Sequence, residues 1–121
     1  MAIHRFEDII AWQKAQDYAV DIYQSFGNLK DYGFKDQICR AVVYISNNIA
    51  EGFDRSSDAD FSRFLFIATA SCSETKSMFC LAERLSYINL LQKDSLMDKA
   101  TEVSRITRGL IKSLTINLPN V

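Results

Sequence analysis

The sequence has few residues that break helices or bind metals. It contains one proline, Pro119, four glycines and one histidine among 121 residues. Because chains of short strands and turns are rich in proline and glycine, their scarcity argues against a β-sandwich or barrel and leaves room for long helices. No apolar run approaches the roughly 18 residues of a membrane span, and the N-terminus lacks a signal peptide's apolar segment. We therefore expect a helical, cytoplasmic protein with no membrane partner.

Cysteines are also few, and their spacing excludes the usual sites. Cys39, Cys72 and Cys80 are odd in number and lack a C-x-x-C pair, so the sequence indicates neither a disulfide framework nor a zinc site. We expect all three to be small buried hydrophobic residues in a reducing compartment. The sequence also lacks a glycine-rich phosphate loop and any serine with an activating base nearby. These absences predict a protein that is not an enzyme, with no cofactor, metal or small-molecule substrate.

Charge is nearly balanced, with a formal net charge of −1. An obligate nucleic-acid binder usually carries a marked basic excess, which this chain lacks. The two halves do differ, because residues 1–60 hold six basic and ten acidic side chains and residues 61–121 hold eight and five. A chain of this length fits one domain that can bury a core without metals or disulfides.

Hydrophobic periodicity predicts four helices. Apolar residues recur at steps of three and four, which is the spacing of one helix face. The predicted helices cover residues 7–26, 34–53, 58–88 and 94–117. Because the connections between them are short, the sequence predicts an all-α, up-down-up-down antiparallel four-helix bundle that forms a single domain over residues 1–121.

Particular residues are expected to begin and end these helices. Gly27, followed by Asn28, is predicted to end the first helix in a left-handed conformation, and Asn89 to end the third. Ser57, with Asp60 three residues on, is typical of a capping box at the start of the third helix. Asp94 is the predicted N-cap of the fourth helix.

The second predicted helix has two distinct faces. Ile38, Val42, Ile45 and Ile49 form an apolar face at steps of four, three and four. A second face, here called the polar face, consists of Gln37, Arg40, Tyr44, Asn48, Glu51 and Arg55. Amides and single charges suit fixed hydrogen bonds, so we interpret this face as one that fixes helix pairing or subunit register, with a catalytic or ligand role less favoured. Glu51 and Arg55 are spaced for a helical ion pair if the helix reaches Arg55.

Two further sets of side chains are candidates for interfaces. A basic strip on the fourth predicted helix fits a phosphate backbone, but a solvated outer face is favoured because Asp98 and Glu102 lie close by. Its members are Arg105, Arg108 and Lys112, with Lys99 as an extension. Aromatic residues that bury much area with few rotamers are candidates for a subunit interface, and core packing is the alternative. They are Trp12, Tyr18, Tyr23 and Tyr44.

The second predicted helix also carries a family signature. Gln37-Ile38-x-Arg40-Ala41, followed by Ile45-x-x-Asn48-Ile49-Ala50-Glu51-Gly52-x-x-Arg55, closely resembles that of a bacterial four-helix-bundle family first found encoded in intervening sequences of 23S ribosomal RNA. Trp12-Gln13-Lys14-Ala15, Tyr32-Gly33-Phe34 and the stretch from Phe61 to Glu74 resemble the same family. The resemblance extends over nearly the whole chain.

This resemblance implies self-assembly. The family is similar to the accessory variability determinant protein of diversity-generating retroelements, a homopentameric barrel with a central pore that works with a reverse transcriptase and structured RNA. A homo-oligomer, with five subunits, is therefore expected here. The retroelement role is not implied, because that accessory protein is highly basic and this chain is not. We expect an oligomeric scaffold or binding module associated with RNA or a nucleic-acid-associated protein. The alternative is a protein-interaction or purely structural oligomer that binds no nucleic acid.

Overall fold

Residues 3–116 are described by the structure, a computed structural model, with side chains described through Leu114. Over this range the chain forms four α-helices and no strand, so the predicted all-α class is confirmed there. A short 3₁₀ turn at Phe6–Asp8 precedes α1 (Ile10–Phe26), α2 (Tyr32–Phe53), α3 (Asp58–Arg84) and α4 (Leu90–Ile116).

The direction of the helices alternates along the chain. Where two neighbouring helices touch, successive contacts involve higher residue numbers on one helix and lower residue numbers on the other, so the two helices are antiparallel. The pairs are Lys14–Glu102 and Asp21–Lys99 for α1 and α4, Gln16–Ser46 and Phe26–Phe34 for α1 and α2, and Cys72–Ala100 and Glu83–Lys93 for α3 and α4. Because α1 also packs on α4, the four helices close into an up-down-up-down bundle in which α4 adjoins α1 and α3.

The core is built from the apolar faces that periodicity predicts. Ile38, Val42, Ile45 and Ile49 of α2 are all 0% exposed, which confirms the predicted inner face of that helix. Full burial of each such side chain stabilises the fold by about 1.5–3 kcal/mol. On α3 the buried face extends from Phe61 to Ala82, whereas Leu85 is exposed because it lies just beyond the end of the helix.

Capping side chains set where three helices begin. Asp31 accepts a hydrogen bond from the Phe34 amide (3.1 Å), so α2 begins at Tyr32, two residues earlier than predicted. Ser57 accepts from the Asp60 amide (3.1 Å), which confirms the predicted start of α3. The predicted start of α4 is wrong. Asn89 and Gln92 exchange two hydrogen bonds of 2.8 Å as a capping box, so Asn89 precedes α4 and Asp94 lies inside that helix.

The first helix is also shorter than predicted. Ile9 has an extended backbone (φ −78°, ψ 121°) and a buried side chain, and it separates the 3₁₀ turn from α1. The left-handed stop predicted at Gly27 is wrong as well, because Gly27 has a right-handed conformation with φ −60°.

A different residue supplies a left-handed stop. Ser86 has φ 63°, and the Tyr87 amide donates a hydrogen bond of 2.8 Å to the Ala82 carbonyl, which closes the last turn of α3. The helix therefore ends at Arg84 rather than at residue 88. The predicted end of the fourth helix, residue 117, lies outside the described residues.

Candidate interaction surfaces

The polar face of α2 points away from the core. Five of its six side chains are exposed, and Asn48 is half-buried with its amide donating to the Tyr44 carbonyl (2.7 Å) one turn earlier. Among the described residues, Gln37, Arg40 and Glu51 have no hydrogen-bonded or ion-paired side-chain partner. The predicted network therefore does not hold helix pairing within one chain. A role between subunits stays a prediction.

Arg55 departs from the rest of the polar face. It lies beyond the end of α2 at Phe53, so the helix does not reach far enough for the helical ion pair with Glu51. Its guanidinium instead lies 3.8 Å from the Asp60 carboxylate and 4.6 Å from the centre of the Phe64 ring. Arg55 therefore fixes the connection between α2 and α3.

A glycine allows α2 and α3 to approach closely beside this connection. A β-carbon added at Gly52 would lie 2.7 Å from the β-carbon of Phe64 and 2.9 Å from a ring carbon of Phe61. Real side chains essentially never approach so closely, so only glycine fits this position without a shift of α3. The Gly52 of the family signature is thus a packing residue.

The outward side of α3 carries several exposed apolar residues. Phe66, Ile67 and Leu81 are 53%, 41% and 47% exposed, and the small residues Ala70 and Ser77 lie between them. At about 100° per residue these five fall within a sector of about 100° around the helix axis, which the exposed Glu74 shares. We call these five residues the α3 ridge. The ridge is not among the interfaces predicted from the sequence, although its exposed apolar residues recur at helical spacing.

A groove runs between α1 and α2 on another side of the bundle. It consists of two adjoining hollows of about 440 and 550 Å³ that share Tyr23 and Val43. Val20 and Tyr23 are 54% and 50% exposed at its edge. Gln16 donates a hydrogen bond of 3.0 Å to the Ser46 hydroxyl and so joins the two helices. We call this feature the α1–α2 groove.

The predicted aromatic interface separates into core and surface residues. Tyr18 is 2% exposed, its hydroxyl lies 2.8 Å from that of Thr75, and burial raises the pKa of Tyr18. The prediction that Tyr18 lies at an interface is therefore wrong for this chain. Trp12 is half-buried and packs edge-on against Phe6 with ring centres 5.2 Å apart. Only Tyr23 and Tyr44 of the four keep half their surface exposed.

The basic strip is shorter than predicted. Arg105, Arg108 and Lys112 are exposed on α4 and, among the described residues, form no ion pair. Lys99 points elsewhere, because it lies 3.1 Å from the Asp21 carboxylate on α1 and about 120° around α4 from Arg105. Gly109 continues the strip between Arg108 and Lys112, and a β-carbon added there would meet nothing within 4 Å.

The three cysteines occupy different environments. Cys72 is buried, its thiol donates to the Ala100 carbonyl (3.1 Å), and burial raises its pKa to about 11. Burial also raises the pKa of the half-buried Cys39. Cys80 is exposed, so its predicted burial is wrong. Over the part of the chain that the structure describes, no three or more His, Cys, Asp or Glu residues are grouped to hold a metal ion. Nor is any helix in that part long and apolar enough to cross a bilayer.

These helices and surfaces define an all-α four-helix protein. The 23S rRNA-intervening sequence protein family matches residues 7–109, and the chain belongs to that family, as the sequence signature predicts. It is similar to a crystal structure from Bacteroides thetaiotaomicron VPI-5482, described as a protein with unknown function from the S23 ribosomal protein family. The two are 30% identical with a TM-score of 0.78, over 85% of this chain and 99% of the other. Curated proteins gave no match to the chain.

Proposed function

We propose that this protein is a non-enzymatic, homo-oligomeric scaffold that acts in the cytoplasm. The observation that carries the proposal is the α3 ridge, whose three large apolar side chains are 41–53% exposed in the single chain. Several large apolar side chains exposed along one side of a helix are typical of an interaction site in a folded protein. The similarity of its family to a homopentameric accessory protein favours a second copy of this chain as the partner and five subunits as the number.

Matched substitutions test this proposal. Leu81→Arg places a charge on the α3 ridge, whereas Leu91→Arg makes the same change at a leucine that is 80% exposed near the start of α4. We expect the wild-type protein and Leu91→Arg to share one oligomeric mass in size exclusion with light scattering, and Leu81→Arg to be monomeric. Circular dichroism should show equal helix content, since both positions are exposed. A Leu81→Arg protein that keeps the oligomeric mass would overturn the role of the ridge.

The basic strip favours a second candidate function, association with RNA. Arg105, Arg108 and Lys112 have no acidic partner among the described residues and lie along one side of α4. A strip of this kind neutralises phosphates and releases counterions. Gly109 between them leaves room for a backbone to approach closely. Self-assembly would repeat the strip once per subunit, which offsets the small contribution of three charges.

Salt-dependent retention of a structured RNA on filters tests this second candidate. We expect Arg105→Glu combined with Arg108→Glu to weaken retention at least about tenfold at 50 mM salt and to lower the salt slope by about two. Arg5→Glu combined with Lys30→Glu changes the net charge equally at exposed positions outside the strip, and should have little effect. Equal losses from both double variants would show that net charge alone acts. If the wild type retains no RNA, the association with RNA is overturned and the scaffold proposal stands without it.

A further inference from the structure

We propose that the α3 ridge of one copy docks into the α1–α2 groove of the next copy. The proposal rests on the oligomeric scaffold described above and names the surface that receives the ridge. Ridge and groove are different surfaces on different helices, so each subunit would use one surface to bind and the other to be bound. Such a head-to-tail contact repeats from copy to copy and closes into a ring when the rotation allows.

The two surfaces are of similar length. Phe66 and Leu81 at the ends of the ridge are separated by about 22 Å along α3, at 1.5 Å per residue. The groove follows α2 from Lys35 to Asn47, about 18 Å by the same measure. Both carry large apolar side chains that are about half exposed, on α3 for the ridge and at the edge of the hollows for the groove. A row of exposed apolar side chains therefore meets a hollow of similar extent.

Charge complementarity supports the same pairing. Glu74 is exposed on α3 midway between the ends of the ridge, whereas the groove is lined by two basic side chains, Lys35 and Arg40, and one acidic side chain, Asp36. Neither Glu74 nor Arg40 has an ion-pair partner among the described residues. Docking the ridge into the groove brings side chains of opposite sign to the same interface. Opposite charges of this kind fix the register of an interface more than they add affinity.

A symmetric contact between two ridges is less favourable. In a two-fold dimer that is centred on the ridge, Glu74 would face Glu74 of the other copy across the axis, and like charges would oppose each other. The exposed apolar edge of the groove, Val20 and Tyr23, would also stay uncovered. Docking into the groove avoids the repulsion and covers both apolar surfaces.

Mixing two defective variants tests this arrangement. Leu81→Arg places a charge on the ridge and leaves the groove intact. Val20→Arg, at a position 54% exposed, places a charge at the edge of the groove and leaves the ridge intact. We expect each variant alone to be a monomer of 13.8 kDa. Mixed in equal amounts they retain one intact ridge and one intact groove, and should form a 1:1 dimer of twice that mass and nothing larger. Leu91→Arg is the control and should remain oligomeric.

The other outcomes separate the two proposals. A monomeric wild type would overturn the oligomeric scaffold and this inference together. A wild-type oligomer with an equally oligomeric Val20→Arg variant would overturn only the role of the groove. Two monomeric variants that stay monomeric when mixed would overturn head-to-tail docking, provided that circular dichroism shows both to be folded.

Discussion

At the scale of single residues, Ser62 of α3 stands out. It is 8% exposed, and its buried hydroxyl oxygen has no hydrogen-bond partner among the described residues. A buried hydroxyl without a partner costs about 1–3 kcal/mol. We therefore expect Ser62→Ala to leave stability unchanged or to raise it by about 1 kcal/mol, measured by urea unfolding.

A buried hydroxyl that does have partners gives the matched comparison. Thr75 donates to the Cys72 carbonyl (2.6 Å) and lies 2.8 Å from the Tyr18 hydroxyl. Thr75→Ala should cost about 1–3 kcal/mol, because it leaves a buried Tyr18 hydroxyl without its bond. If Ser62→Ala were as destabilising as Thr75→Ala, the hydroxyl of Ser62 would have to be bonded in solution.

Gly109 is a second residue that is expected to lower the stability of the fold. It lies inside α4, and nothing lies within 4 Å of an added β-carbon. Glycine inside a helix costs about 0.5–1 kcal/mol relative to alanine, so Gly109→Ala should stabilise the folded chain by that amount. If the strip contacts RNA closely, the same variant should also retain RNA less well. Destabilisation by Gly109→Ala would show that the position is already packed against something.

At the scale of helices, the start of α4 depends on one capping residue. Asn89 accepts a hydrogen bond from the Gln92 amide, so Asn89→Ala should lower the free energy of unfolding by about 1 kcal/mol. Asp94→Ala should change it by less than about 0.5 kcal/mol, because Asp94 lies within the helix and not at its N-cap. The opposite ranking in urea unfolding would place the start of the helix at Asp94.

The connections at one end of the bundle are joined by a pH-sensitive hydrogen bond. The Tyr87 hydroxyl donates to the Asp31 carboxylate (2.6 Å), and this bond, with that from the Phe34 amide, lowers the pKa of Asp31. A lowered pKa means that the folded chain favours the carboxylate. The stabilisation is therefore present above the unfolded pKa of about 3.9 and is lost as pH falls through the folded value.

Tyr87→Phe tests this linkage. We expect the variant to unfold at a lower urea concentration than the wild type at pH 7, because the carboxylate loses its hydroxyl donor. The difference should shrink at pH 3, where protonation of Asp31 progressively removes the same contribution from the wild type. An equal difference at both pH values would mean that the charge of Asp31 plays no part.

The sequence predicted the helices better than their ends. The inner face of α2 was predictable because burial imposes the helical period on residues such as Ile38 and Ile45. The ends depend on residues that serve two purposes. Asparagine occurs both after helices and before them, and only the bond to Gln92 shows that Asn89 begins α4. The end of α3 could not be predicted from residue type, because serine rarely adopts the left-handed conformation that Ser86 has.

The candidate surfaces were predicted less completely than the fold. The assignment of Tyr18 to core or interface depended on Thr75, which is 57 residues away in sequence. The ion pair of Lys99 with Asp21 likewise joins two helices, although helical spacing alone already places Lys99 about 120° around α4 from Arg105. Pairings of this kind are set by tertiary packing, so periodicity along one helix cannot give them. Periodicity does place Arg105, Arg108 and Lys112 on one side of α4, as predicted.

At the scale of the whole molecule, the proposed surfaces do not compete. The α3 ridge and the α1–α2 groove lie on α1, α2 and α3, whereas the basic strip lies on α4. Docking of ridge into groove would therefore use no residue of the strip. A ring of such subunits would carry one basic strip per subunit. Assembly and RNA association would then be separable properties, so a folded variant that is defective in one should retain the other.

The molar mass of the untreated wild-type protein tests the proposed assembly most directly. We would measure it by light scattering during size exclusion over a range of loading concentrations, with absorbance at 260 and 280 nm recorded together. A constant mass near 69 kDa, five times the 13.8 kDa chain, is the expected result, and a raised 260 nm absorbance would add bound nucleic acid. A mass of 13.8 kDa at every concentration would contradict self-assembly and with it the role given to the α3 ridge.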